Sequence, residues 1–286
     1  MIDRALYLPE RWVRDRERRH TAGVPEAVSF ATKPQLGREM LERAFAAGVP
    51  CAWVTGDSVY GADSALRRTI ETSGHGYVLA VTSAQHLGCK PVVNWLEDVP
   101  ARAWRRLSAG EGSKGPRLYD WAYLPYRTET APGWRKGLLI RRKIGKPDKF
   151  TFYLALAPEA TTLSELVRIA GMRWTIEACF EAAKGEVGLD HYEVRSWTGW
   201  YRHITLAMLA HAYLTVVRQA AAGGREQRRV HEGSAALHRA RGAAAALAPR
   251  VDPTAQSQGR HQLVTLAPTP PTARQTMPLE TTDQNP

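Results

Sequence analysis

The sequence predicts an α/β fold, on three observations. Short apolar runs alternate with an amphipathic helical pattern over residues 1–83. Residues 84–157 carry the alternation and turn residues of β-hairpins. Long helix-forming runs then resume through residues 158–222. Taking the elements in order, residues 2–8 alternate enough for a strand, which Pro9 would end. Residues 10–30 are charged and loop-like, with room for a short helix. Pro34 opens a helix reaching about Ala47, with Leu36, Met40, Leu41, Ala44 and Phe45 on one face and Gly48 closing it. Cys51 to Thr55 reads as a short buried strand, followed by Gly56-Asp57. Ala62 to Thr72 reads as a helix and Gly76 to Thr82 as a second buried strand. Strand, helix and strand in that order imply parallel pairing.

The middle stretch is rich in Trp, Arg, Gly and Pro. Its best strands are Leu118–Tyr126, Gly137–Ile144 and Phe150–Ala157, with Gly145-Lys-Pro-Asp148 as the turn between the last two. It reads as a β-rich insertion into the α/β layer. Helices are expected from Thr161 to about Gly188 and from Thr198 to Arg218. The apolar stretch Ile204 to Val217 contains His211 and is too short to span a bilayer, so it reads as a core helix. After Gly223-Gly224 the character changes. Residues 225–286 contain no Phe, Tyr or Trp and are crowded with Ala, Pro, Thr, Gln and Arg. Residues 223–286 are therefore expected to be a disordered tail.

The net charge of +11 comes mainly from Arg and favours a polyanionic partner, nucleic acid above all. The three cysteines, Cys51, Cys89 and Cys179, are far apart, and none has the spacing of a zinc site or a disulfide framework. They read as buried thiols in a reducing cytoplasm. The N-terminus lacks an apolar signal core.

Arg173-Trp-Thr-Ile-Glu177-Ala-Cys-Phe-Glu-Ala-Ala-Lys184 is the stretch richest in chemistry. It is helical in pattern, and at about 100° per residue Arg173, Glu177 and Lys184 fall within roughly 40° of one another. One carboxylate flanked by two cations can hold a divalent metal beside bound phosphates. The plainer alternative is a surface Glu paired with Arg173 one turn away. Asp57 follows the end of a buried strand, where ligands gather in α/β sheets. It could equally cap the helix that follows.

These stretches together resemble the bacterial insertion-sequence transposases of the DDE type, which carry a Tyr-x2-Arg-x3-Glu-x6-Lys signature. Arg173, Glu177 and Lys184 match it, and its Tyr would fall at Ala170. Further similar stretches are Ile2-Asp-Arg-Ala-Leu-Tyr-Leu-Pro-Glu-Arg-Trp12, Ala31-Thr-Lys-Pro34, Trp53-Val-Thr-Gly-Asp57-Ser-Val-Tyr-Gly61 and Val187-Gly-Leu-Asp-His-Tyr-Glu-Val-Arg195. The resemblance covers about residues 1–218. It implies an RNase H-like catalytic core, split by the insertion, in a bacterial cytoplasmic protein associated with the nucleoid. It also implies metal-dependent cleavage and strand transfer at insertion-sequence ends in duplex DNA, with oligomers forming on the DNA.

The resemblance makes Asp57 and Glu177 the second and third acids of the triad, and so catalytic metal ligands. Arg173 and Lys184 become DNA-phosphate contacts. Two Mg²⁺ ions are expected, with Mn²⁺ as a substitute. The first acid belongs to a strand upstream of the Leu6-Tyr-Leu-Pro9 stretch. The core is therefore expected to be incomplete at its N-terminus, without that acid; Asp3 is a disfavoured stand-in. The alternative function is a non-catalytic remnant that binds DNA or does nothing.

Other patterns carry less. Gly110-Glu-Gly-Ser-Lys-Gly115 fits GxGxxG, but no buried strand precedes it and no helix follows, so a dinucleotide site is rejected. Arg102, Trp104, Arg105, Arg106, Trp134, Arg135, Arg141, Arg142 and Lys143 mix cations and aromatics as nucleic-acid surfaces do. Hairpin strands with aromatics inside and charges out would look the same. His191, His203 and His211 lack metal-ligand spacing and read as structural, and Asp190 as a turn residue.

Overall fold

The computed structural model describes residues 1–112, 115–241 and 263–265, with side chains described through residue 222. In chain order the first elements are α1 (Glu10–Arg14), α2 (Arg16–Thr21) and α3 (Lys33–Ala46). Next come β1 (Trp53–Gly56), α4 (Ser58–Gly61), α5 (Ser64–Thr72) and β2 (Gly76–Val81). A small pair, β3 (His86–Leu87) and β4 (Lys90–Pro91), leads into two 3₁₀ turns. The long strands are β5 (Arg105–Gly112), β6 (Gly115–Tyr126), β7 (Trp134–Lys143) and β8 (Lys146–Pro158). Two helices, α6 (Leu163–Val187) and α7 (Trp197–Arg241), and a short strand, β9 (Leu263–Thr265), complete the chain.

Two compact units result. One joins Met1–Val49 to the helical part from Trp174, and the other runs from Pro50 to Arg173 with β9. The Pro50–Arg173 unit is built on one mixed sheet in the order β5-β6-β7-β8-β2-β1, with β9 beside β1. Strands β1 and β2 run parallel, as their helical connection requires. Strand β8 then pairs antiparallel with β2, so the hairpin strands extend the α/β layer. The middle of β7 and the second half of β8 are buried on both faces, which explains their near-continuous apolar runs. On one face Trp121, Leu139, Tyr153, Ala155 and Ala157 pack against Leu166, Val167, Ile169 and Ala170 of α6. Each large side chain fully buried there contributes about 1.5–3 kcal/mol.

Local signals explain most boundaries. Thr32 and Gln35 form a reciprocal capping box at the start of α3, with Pro34 in its first turn. The turn between β7 and β8 is Ile144-Gly145, with Gly145 at φ 74°; the four-residue turn expected there is corrected, since β8 already starts at Lys146. Strand β5 was not foreseen, because its RRLSAGEG sequence has almost no apolar alternation. It exists because β6 offers it an edge.

Three further expectations are corrected. Residues 2–8 form no strand. Side chains hold them instead: Asp3 is bound by Arg43 at 2.8 Å, and Arg4 lies over the Tyr201 ring at 5.4 Å. The cysteines are not buried, since Cys51 and Cys179 are half-exposed and Cys89 is exposed. Helix α7 does not stop near Arg218. Its backbone continues through Gly223-Gly224 to Arg241, and Leu263–Thr265 forms a strand, so the boundary expected at 223 does not end regular structure. The remaining tail positions, 242–262 and 266–286, lie outside the described residues.

Across β5, β6 and β7, Arg106, Asp120 and Arg142 stand in register, with Asp120 3.0 Å from Arg106 and 3.3 Å from Arg142. The hydrogen bond from Arg106, joined by that from Arg142, holds the Asp120 carboxyl below its ordinary value. A depressed carboxyl stabilises the fold above its unfolded-state pKa, about 3.9, and that contribution fades as pH falls through the folded value. It is modest, because Arg106 is 58% exposed. Asp120→Asn should therefore flatten the acid limb of the stability profile, as read from urea midpoints between neutral pH and about pH 2.

Candidate functional site

Asp57 is placed by the β1 strand. Trp53, Val54, Thr55 and Gly56 are all buried and pair in parallel with β2, and the chain leaves the sheet at Asp57. Its Oδ1 accepts the Val59 N–H at 2.9 Å and its backbone carbonyl accepts the Gly61 N–H at 2.9 Å, so Asp57 caps α4. Both positions inferred for it hold at once: strand end and helix cap. Gly61 lets α4 lie directly on β2, since a Cβ there would sit 1.9 Å from the Ala80 carbonyl oxygen. Arg67 donates to the Gly61 carbonyl, and Asp63 caps α5 through the Leu66 N–H at 2.6 Å. Burial pushes the Tyr60 hydroxyl upward in pKa, and the nearby Asp57 charge adds to the shift. Asp57 itself is half-buried.

Helix α6 carries the other three candidates. Arg173, Glu177 and Lys184 are all half-buried. Lys184 reaches Asp190 at 3.6 Å across the turn after α6, and Glu186 pairs with Arg218 at 2.8 Å. The Arg218 hydrogen bond holds the Glu186 carboxyl below its ordinary value. Arg173 closes the Pro50–Arg173 unit, whereas Glu177 and Lys184 belong to the other. Asp3 is committed elsewhere: one of its oxygens takes Arg43 at 2.8 Å and the other the Arg4 N–H at 2.7 Å. Among the described residues no group of three or more His, Cys, Asp or Glu is gathered to hold a metal ion.

One feature of the sheet face was missed in the sequence. Arg117, Arg141 and Arg173 all act on the buried Tyr153 hydroxyl. Burial raises its pKa, while these guanidiniums pull it down. Alternation puts Arg117, Tyr119 and Trp121 on one face of β6, a signal that could have revealed Arg117. Several of the mixed basic and aromatic residues serve one another. Arg142 lies 4.3 Å over Trp104, Arg141 4.6 Å over Tyr119 and Arg135 4.9 Å over Tyr123. Gly110 and Gly112 belong to β5 and Gly115 opens β6, so no helix follows the GxGxxG-like run. His203 is structural, with Nε2 3.0 Å from the Gly188 carbonyl. No helix of the described residues is long and apolar enough to cross a membrane.

A family model described as DDE superfamily endonuclease matches residues 1–94. The matched segment contains Asp57 with β1, α4, α5 and β2, and ends before β5 and α6. No curated protein matches the chain. The mixed α/β architecture is compatible with the RNase H-like fold of that superfamily.

Proposed function

We propose that this chain is a transposase of the DDE type, acting on duplex DNA with divalent metal ions, Mg²⁺ by preference. The observation that carries the reading is Asp57, placed directly beyond a buried parallel strand inside the segment that resembles DDE endonucleases. Asp57 and Glu177 are assigned as metal ligands. Both are half-buried carboxylates, the hard anionic oxygen donors that Mg²⁺ takes. When bound, such ions activate the attacking oxygen and stabilise the leaving one. Arg173 and Lys184 are assigned to DNA phosphates, where Arg offers a fork of donors and Lys a point charge.

The assignment of the two cations can be tested by duplex DNA binding over a salt series. Each phosphate contact releases counterions, so each contributes to the slope of log affinity against log salt. Arg173→Ala and Lys184→Ala should each lower that slope by about one unit and weaken binding regardless of sequence. Arg14→Ala, which removes an exposed cation paired with Glu10 at 2.5 Å, should leave the slope unchanged. Unchanged slopes for Arg173→Ala and Lys184→Ala would remove the phosphate assignment.

A further inference from the structure

The two ends of the mixed sheet are finished differently. One end is β5, where Arg105, Arg106 and Glu111 are exposed and the pairing with β6 is irregular between Ser108 and Glu111. Charges and bulges of this kind keep a further strand from adding to an edge. The other end is β1. Its Trp53, Val54 and Thr55 are 4%, 0% and 0% exposed, strand formers with no charge or proline among them. Strand β2 pairs with only one side of β1. Buried N–H and C=O groups on the other side need a second partner.

Leu263–Thr265 supplies it. This segment runs parallel to β1 in unbroken register, with Trp53 against Leu263, Val54 against Val264 and Thr55 against Thr265. We propose that the outer edge of β1 is a strand-binding site, that this chain's own Leu263–Thr265 is its occupant, and that a free peptide of the same sequence competes for it. The sequence selects that occupant. Within residues 242–286, Leu263 and Val264 are the only adjoining pair drawn from Leu, Ile, Val and the aromatics, and Thr265 adds a second β-branched residue. They fall in the longest proline-free interval there, residues 254–267, where every residue keeps the N–H that a ladder uses. Thr265 pairs with Thr55, two positions before Asp57, so the added strand lies along the one that presents the candidate site. The inference rests on the sheet alone and stands whether or not Asp57 holds a metal.

The test is amide hydrogen exchange of the full chain, read by mass spectrometry, with and without a capped peptide of residues 260–267. In the wild type, Trp53–Thr55 and Leu263–Thr265 should both be protected. Excess peptide should speed exchange at Leu263–Thr265 more than about tenfold while Trp53–Thr55 stays protected, because one strand has replaced another. Val264→Pro with Thr265→Pro removes two successive N–H groups, one of which faces β1 whichever way the strand is turned. That variant should lose protection at Trp53–Thr55 and regain it with peptide. It should also bind the peptide on the order of a hundredfold more tightly than the wild type, whose own strand competes at an effective concentration of order 1 mM. A peptide carrying the same two prolines should not bind. Leu263–Thr265 exchanging as fast as free peptide in the wild type would overturn the proposal, as would a proline variant that neither loses protection nor binds peptide. A wild type at twice the chain mass that falls to single mass in the proline variant would place the strand on a second copy and overturn the assignment equally.

Discussion

Gly171→Ala should destabilise the Pro50–Arg173 unit by about 3 kcal/mol, although Gly→Ala inside a helix ordinarily stabilises by about 1 kcal/mol. The reversal comes from how closely α6 approaches β5. A Cβ on Gly171 would lie 1.9 Å from the Ala109 carbonyl oxygen, 2.7 Å from its carbon and 3.1 Å from its Cα. All three are backbone atoms, which cannot rotate away. Ala109 is 4% exposed, and one nitrogen of Arg117 donates both to its carbonyl, at 2.7 Å, and to the Gly171 carbonyl, at 3.2 Å. The methyl group could be admitted only by sliding α6 off the Trp121–Tyr153 face, which uncovers core. Gly185→Ala on the same helix is the control, because nothing lies within 4 Å of a Cβ there. It should raise stability by about 1 kcal/mol. Urea midpoints for the two variants should move in opposite directions; a shared direction would show that close packing at Gly171 is not what fixes α6.

What the sequence conveyed depended on the range of the interaction. The α3 start was readable because its cap is local: Thr32, Pro34 and Gln35 lie within four positions. The parallel β1–β2 pair was readable because two buried runs flank a helix. Strand β5 was not, since its order comes from β6 and from Arg117, neither of which marks Arg105–Gly112 itself. Residues 2–8 failed in the opposite way. Their alternation suits a strand, but no described strand pairs with them, and Arg43 and Tyr201 hold them by side chains. The apolar run in α7 was read as core because composition counts residues without assigning faces. At helical spacing Ile204, Ala207 and His211 are buried, with Met208 packed beside them.

The candidate site divides along the same line. The strand-end position of Asp57 and its cap on α4 both follow from neighbours within four residues, so pattern alone suggested each. The helix of Arg173, Glu177 and Lys184 was equally readable from periodicity. The Asp190 partner of Lys184 was not, because it depends on the turn at Gly188, where φ is 62°. Arg117 and Arg141 converge on Tyr153 from two strands, a long-range arrangement that no short motif encodes.

Asp57→Asn should weaken divalent-metal binding by this chain on the order of a hundredfold or more while leaving its stability almost unchanged. The two roles of Asp57 draw on different properties of one side chain. Capping α4 needs only an oxygen that accepts the Val59 N–H at 2.9 Å, and the Asn carbonyl supplies one. Asn and Asp are about equally good caps, so Asp57→Asn should change stability by no more than a few tenths of a kcal/mol, whereas Asp57→Ala loses the cap and should cost about 1 kcal/mol. Holding Mg²⁺ or Mn²⁺ needs the negative charge, which both variants lack. Metal affinity should therefore fall in both, on the order of a hundredfold or more, given that even groups supporting a metal ligand cost up to that much when lost. Calorimetric Mn²⁺ titration and urea midpoints measured on the same preparations separate the roles. Glu177→Gln belongs beside them, because the same reading assigns that carboxylate to the metal. Asp57→Asn with wild-type Mn²⁺ affinity would leave Asp57 as a helix cap alone, and the metal chemistry proposed for this chain would lose its principal residue.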